Sequence, residues 1–166
     1  MVLKGMKFSM INLCSYDKTI TESEFKAKID SMFMMLCISI MTDNLKRVSH
    51  LIHDSLLNKY EIMINKLNAK NHRQMYDLLT IEDTQIENTN EVNGKTVITV
   101  KLLIKYLDYV VNKKTKSIVC GNNKERIEKI VYLTLEQNNI KENNSYLAGI
   151  SNIKDFNWKL IDLKTI

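Results

Sequence analysis

Proline is absent from this 166-residue chain and glycine occurs only four times, so linker-like sequence is nearly missing. With 45% apolar and 26% charged residues, there is material for one ordinary core and too little for two. We therefore expect one domain over 21–166, preceded by an irregular segment over 1–20. Cysteine is scarce as well. Cys14, Cys37 and Cys120 are odd in number and widely spaced, which excludes a disulfide framework or zinc site and suits a reducing compartment. No apolar run approaches the roughly eighteen residues of a membrane span. The opening MVLKGMKFSMINLC has two lysines but no sustained apolar stretch and no small-residue cleavage site, so it makes a poor signal peptide. Any membrane anchor would have to lie outside this sequence. No catalytic motif is present, so the residues alone name no activity. The net charge of +5 and pI near 9.0 suit an acidic partner, an anionic membrane surface or RNA, and do not choose among them.

What the chain does have is one long alternating run, Thr96 to Val111 (TVITVKLLIKYLDYVV). Ile98, Val100, Leu102, Ile104, Tyr106 and Val110 share one parity, whereas Thr99, Lys101, Lys105 and Tyr109 share the other. Period-two patterning predicts a long strand with one buried face, of the kind found in curved antiparallel sheets. Ahead of it, Thr21-Glu-Ser-Glu24 forms a capping box that opens a helix. Phe25, Ile29, Met32, Phe33, Leu36 and Ile40 lie on one side of that helix, and Met34, Met35, Cys37 and Ile38 widen the apolar face. Thr42-Asp43-Asn44 offers caps for a second helix running to about Asn68, with an inner stripe of Leu45, Val48, Ile52, Leu56, Tyr60, Met63 and Leu67. From Met75 the period changes to two, with Met75, Leu79 and Ile81 set against Tyr76, Thr80 and Glu82, giving a strand to about Glu87. Asn88 to Lys95 reads as a turn with Asn-Gly near its end. After the long strand and the polar turn Asn112–Lys116, Ile118 to Gly121 and then Ile127 to Glu136 resume the extended chain. Residues 137–155 are Asn-rich and least structured. Asn157 to Leu163 closes the chain as an alternating strand carrying the only tryptophan. Two helices followed by four antiparallel strands define an α+β domain.

These ordered features resemble the C-terminal domain of subunit 44 of the mitochondrial inner-membrane import translocase, within the nuclear-transport-factor-2-like (cystatin-like) superfamily of α+β cones. Phe25 and its amphipathic run look like that family's first helix. Thr42-Asp43-Asn44-Leu45-Lys46-Arg47 sits where it has an aspartate-containing turn, and Leu57 and Tyr60 match a leucine-aromatic stretch. Tyr106-Leu-Asp108-Tyr109-Val-Val111 looks like its "D-Y" strand end, followed by a Lys-Thr-Lys turn and Val119-Cys120-Gly121. The likeness spans roughly residues 22–136. Some bacterial relatives carry a small zinc ribbon before a closing "W-x-L" strand. Here Trp158-Lys-Leu160 is present, but Glu136 to Asn157 contains no cysteine. The resemblance implies a cone with its N-terminal helices packed on a curved four-stranded sheet, and a non-enzymatic role. In the translocase subunit that role is to tether a chaperone at the membrane, and a mitochondrial ribosomal protein uses the domain near the peptide exit tunnel. This chain lacks the long N-terminal chaperone-binding region, so that activity is not carried over.

Three groups of residues are candidates for function. His50 and His53, at helical spacing beside Asp54, have the geometry of a metal pair but no third ligand, and boundary histidines are the preferred reading. Asp108 has the parity of the apolar set and would face the cavity. Isomerases of this superfamily use an inward carboxylate there as a general base. Strand-end placement near Lys113 and Lys114, or a bulge that turns it outward, is preferred because no second acid or tyrosine is placed with it. The basic residues Lys101, Lys105, Lys113 and Lys114 suit lipid or RNA phosphates, with a solvated face preferred. The Met-rich first helix over a concave sheet makes an apolar pocket. The expectation is a non-catalytic binding module acting at a membrane surface or on a protein or lipid partner. Its ligand set would be Met32, Phe33, Leu36, Tyr106 and Asp108, its basic surface Lys101, Lys105, Lys113 and Lys114. No metal, cofactor or DNA partner is expected, RNA is disfavoured, and oligomeric state is left open. The expected location is the cytoplasm, including the inner face of the membrane. The competing classes are a small enzyme of this fold using Asp108 and a ribosome-associated factor.

Overall fold

Thr21 begins the first helix with the reciprocal bonds of a capping box. Its Oγ1 accepts from the Glu24 backbone N–H at 3.2 Å, and Glu24 Oε2 accepts from the Thr21 N–H at 2.7 Å. The resulting helix, α1 (Glu22–Met41), buries Phe25, Ile29, Met32, Phe33, Leu36, Cys37 and Ile40 against the sheet. The structure is a computed structural model that describes residues 21–137 and 157–166. The expectations for 1–20, and for nearly all of the Asn-rich stretch, lie outside the described residues.

The second helix starts later than its apolar stripe predicts. After a turn at Thr42–Asn44, Leu45–Arg47 forms one 3-10 turn, and α2 runs only from Asp54 to Ala69. The reason lies in the backbone of Leu51 and His53. The Leu51 carbonyl accepts from Leu160 N–H and the His53 N–H donates to the Leu160 carbonyl, both at 2.8 Å. Groups committed to the last strand are unavailable to a helix. His53 instead caps α2, its ring nitrogen accepting from the Ser55 N–H at 3.3 Å. Leu45, Val48, Leu51 and Ile52 are still buried, so the apolar pattern there reports core rather than helix.

Four antiparallel strands follow in the order β1-β2-β3-β4: β1 (His72–Val92), β2 (Lys95–Asn112), β3 (Ile118–Gln137) and β4 (Trp158–Thr165). β2 matches the long alternating run and pairs on both sides. Its Ile98, Val100, Leu102, Ile104 and Tyr106 are buried, joined by Val131, Leu133 and Leu135 of β3 and by Trp158 and Leu160 of β4. Phe25 meets Trp158 edge-to-face at 5.7 Å, tying the start of α1 to the last strand. Two helices on one face of a four-stranded antiparallel sheet give the α+β architecture expected of the cone.

β1 departs from its predicted parity. Register slips between Asp77 and Thr80, where Leu78 takes φ +50° and stands 68% exposed. The bulge moves Tyr76, not Met75, onto the core side with Leu79 and Ile81. The β1–β2 turn is also tighter than predicted. Val92 pairs with Lys95 around Asn93 and Gly94, whose φ of +53° and +74° suit a two-residue type I′ hairpin. β3 is one strand, with a register slip where Tyr106–Asp108 face Ile127–Asn122.

Gly121 stands opposite Tyr109 at φ +85°, and a Cβ added there would lie 2.3 Å from the Asp108 carbonyl oxygen. At Gly94 a Cβ would meet nothing within 4 Å. Replacing Gly121 by Ala should therefore destabilise the domain by about 3 kcal/mol, through strain and backbone overlap together. Gly94→Ala should lose only about 1 kcal/mol. Urea unfolding of both variants checks the ordering; equal losses would show that the close approach at Gly121 relaxes freely.

Candidate functional site

Between α1 and the sheet a small pocket of about 90 Å³ remains open. Successive turns of α1 supply Phe33, Leu36, Cys37 and Ile40. α2 adds Tyr60, β1 adds Tyr76 and Leu79, and β2 adds Ile104 and Tyr106. Tyr76 and Tyr106 meet edge-to-face at 5.8 Å and form one wall. No charged side chain lines the space; its polar groups are one thiol, the tyrosine hydroxyls and Thr165.

The titratable groups there are held neutral. Burial pushes the Cys37 thiol up to about 12, and burial likewise raises the Tyr60 and Tyr76 phenols. Tyr106 is raised by burial first and then by the negative charge of Asp108. Such a site favours apolar matter and has no ready nucleophile at neutral pH.

Of the predicted ligand set, Phe33, Leu36 and Tyr106 come together in the pocket. Met32 does not reach it, being fully buried in the core on the neighbouring face of α1. Asp108 pairs with Tyr76 across β1–β2 and so points to the same side of the sheet, but it stands outside the pocket wall. Its Oδ1 accepts from Gln74 Nε2 at 2.7 Å, and the same amide nitrogen donates to the Met75 and Tyr109 carbonyls. Cys37, Ile40, Tyr60, Tyr76, Leu79, Ile104, Val131, Leu163 and Thr165 are the lining residues missing from the predicted set. Cys37 and Ile40 were legible, because they continue the helical spacing of Phe33 and Leu36. Tyr76 was not, because the bulge at Leu78 reverses the parity that would have placed it.

The four basic residues do not form one patch. Lys101 and Lys105 lie on the uncovered face of the sheet, where Lys105 pairs with Glu128 at 3.3 Å. Lys113 forms an ion pair with Asp43, donates to Asn68 Oδ1, and is bonded through its backbone N–H to the Asn71 carbonyl at 2.8 Å. It is a clamp joining the α1–α2 turn, the end of α2 and the β2–β3 hairpin. Of the four, only Lys114 is exposed beside it on the hairpin turn. The two histidines do not share a helix face, since His53 caps α2 and His50 precedes it in a turn. Among the described residues, no cluster of three or more His, Cys, Asp or Glu is placed to hold a metal. No helix there is long and apolar enough to cross a membrane.

The fold and pocket define a small α+β domain that presents an apolar cavity between a helix and an antiparallel sheet. A family model, the Tim44-like domain, matches residues 9–164, and the chain belongs to that family. Among solved structures, the intermembrane space region of the chloroplast protein ARC6 is similar, with a TM-score of 0.49 and 4% identity. That likeness covers 89% of this chain and 97% of that one. No curated protein matches the chain by sequence. The family is in general one of non-enzymatic, membrane-associated adaptor domains.

Ionisation of Cys37 gives two expected outcomes. With its folded pKa raised to about 12 from 9.0, the thiol stays protonated after unfolded chains ionise. Its contribution is complete below pH 9 and is lost as pH rises from 9 towards 12, at about 1.4 kcal/mol per pH unit. Urea unfolding at pH 8 and pH 10 should show that loss, and Cys37→Ala should reduce it. At pH 8, peptide-resolved alkylation should modify exposed Cys120 at least about tenfold faster than Cys37. Equal rates would mean that the pocket opens to solvent readily.

Proposed function

We propose that this domain is a non-catalytic Tim44-like adaptor, acting at a membrane surface or on a protein or lipid partner, that seats an apolar group between α1 and the sheet. The observation that carries the reading is the pocket lined by Phe33, Leu36, Cys37, Tyr76 and Tyr106 without a charged side chain. Its size decides what it can take. Pockets for whole small molecules span about 300–1,000 Å³, well above the 90 Å³ here. The space fits the end of an acyl chain or one apolar side chain of a partner. Met32 stays in the core on the neighbouring face of α1, and Asp108 with Gln74 gives a polar margin. A cytoplasmic protein attached peripherally at the inner face of a membrane accords with this role.

The test uses an acyl chain carrying an environment-sensitive fluorophore. Cys37→Leu adds volume inside the pocket, where about 90 Å³ is open to receive it. Stability should hold within about 1.5 kcal/mol, while probe affinity should fall at least about tenfold. Unchanged affinity in a folded Cys37→Leu protein would remove the pocket from the reading.

A second reading, a small enzyme using Asp108 as a base, draws on the closeness of that carboxylate to Tyr76 and Tyr106. Asp108→Asn separates the two. An enzyme loses about a hundredfold or more in turnover with its base, whereas the adaptor should keep its probe affinity within about twofold.

A further inference from the structure

We infer that the polar groove between the turn at 42–47 and α2 is a second binding site, which takes an extended, uncharged peptide segment of a protein partner. It is separate from the apolar pocket, and it rests on the adaptor reading only in expecting a protein partner. The groove encloses about 560 Å³, within the range of sites that hold whole ligands. One wall is made by Asn44 and Lys46 of the turn, the other by Glu61, Asn65 and Asn68 of α2. Positions 61, 64, 65 and 68 recur at helical spacing and so share one face of α2. Leu45 and Ile64, each 7% exposed, form the floor.

Carboxamides dominate the walls. Each Asn side chain carries an acceptor oxygen and two N–H donors, the complement of a peptide bond. Asn44 stands at the cap position of the 3-10 turn, yet its side chain makes no capping hydrogen bond. Asn65 is exposed in the body of α2, with no side-chain partner among the described residues. Asparagine is a weak helix former, and no hydrogen bond among those residues offsets its presence there. Asn68 accepts from Lys113 through its oxygen and keeps its amide N–H groups free. Lys113 binds Asp43 as well, so one side chain joins both walls and the groove is formed before a ligand arrives.

Charge and size select the ligand. Asp43 is held by Lys113, with Arg73 at 3.7 Å, which leaves one cation, Lys46, and one anion, Glu61, along the groove. The two cancel, so neither a polyanion nor a polycation is favoured. Among the described residues no aromatic ring lines the groove, so a nucleobase has nothing to stack on. From Glu61 to Asn68, α2 rises about 10 Å at about 1.5 Å per residue. An extended chain covers that span with about three residues. Main-chain groups of such a segment bond to the carboxamides, and a small side chain rests on Leu45 and Ile64.

The full chain would be panned against phage-displayed random dodecapeptides, and the tightest binder synthesised with acetyl and amide caps. Combined Asn44→Ala and Asn65→Ala should weaken binding of that peptide about 25-fold, at about fivefold per lost carboxamide. Both side chains are exposed, so the double variant should keep the wild-type circular dichroism. Asn65→Ala alone, which favours the helix, should lose about fivefold. Cys37→Leu, inside the apolar pocket, should leave peptide affinity within about twofold. If no peptide is selected, or the folded double variant keeps the selected one, the groove assignment is overturned. If Cys37→Leu loses the peptide and the double variant keeps it, the peptide sits in the apolar pocket, and the assignment falls while the adaptor reading stands. If the wild type sediments as a dimer and the double variant as a monomer, a second copy fills the groove and the peptide assignment is overturned. If the acyl probe does not bind the wild type while the peptide depends on Asn44 and Asn65, the pocket reading fails and this inference is upheld.

Discussion

Backbone pairing of β2 along both edges is the constraint on which the rest of the domain depends. Every second residue from Ile98 to Tyr106 must then turn inward, and these side chains make an apolar surface that water cannot be left to cover. α1 supplies the matching surface, since Phe25, Ile29, Met32, Phe33, Leu36 and Ile40 recur at helical spacing over its whole length. Neither partner is stable alone. A strand pair with one apolar face needs a cover, and isolated helices derive little stability from propensity. The short α2 adds much less, burying only Leu56 and Ile64 outright. Its role is to close one side of the pocket with Tyr60 and to bring Asn68 to the Lys113 clamp.

The fold was legible wherever one period ran unbroken, and lost wherever a backbone detail reset it. β2 and α1 each keep a single period for 18 and 20 residues, and the chain pattern placed both within a residue or two. β1 alternates only from Leu78 onward, and one bulge exchanges Met75 for Tyr76 on the core side. Nothing in the local residues marks that bulge, because Asp-Leu-Leu-Thr contains neither glycine nor asparagine. The failure in the second helix is of another kind. Leu45, Val48 and Ile52 do face the core, but His53 and Leu51 spend their backbone groups on β4, more than a hundred residues away in sequence. A pattern of side chains records which face is buried and is silent about where the main chain finds its partners.

The candidate site was legible to the same extent. Phe33, Leu36 and Tyr106 lie on the two unbroken elements and meet in the pocket as their periods require. Met32 shares the helical stripe but points to its inner edge, a distinction of about 100° per residue that an apolar pattern alone does not resolve. Asp108 follows the parity of β2 to the correct side of the sheet, yet the register slip against β3 begins just before it and it ends at the margin with Gln74. The basic set failed because sequence adjacency to Lys114 said nothing of Asp43 and Asn68, which turn Lys113 from a surface charge into an internal tie.

Pocket and basic end are linked by the strands that build them. Tyr76 is three residues from Arg73 along β1, and Tyr106 is seven from Lys113, one residue past the end of β2. At about 3.3 Å per residue these spans are about 10 Å and about 23 Å. Gln74 and Asp108 are hydrogen-bonded to each other on this stretch, next to the aromatic pair of Tyr76 and Tyr106. The acidic stretch of β1 lies beyond the pocket on the far side. One strand thus sets the distance from the cationic end to the cavity, and Lys113 fixes the turn, the end of α2 and the hairpin to one another.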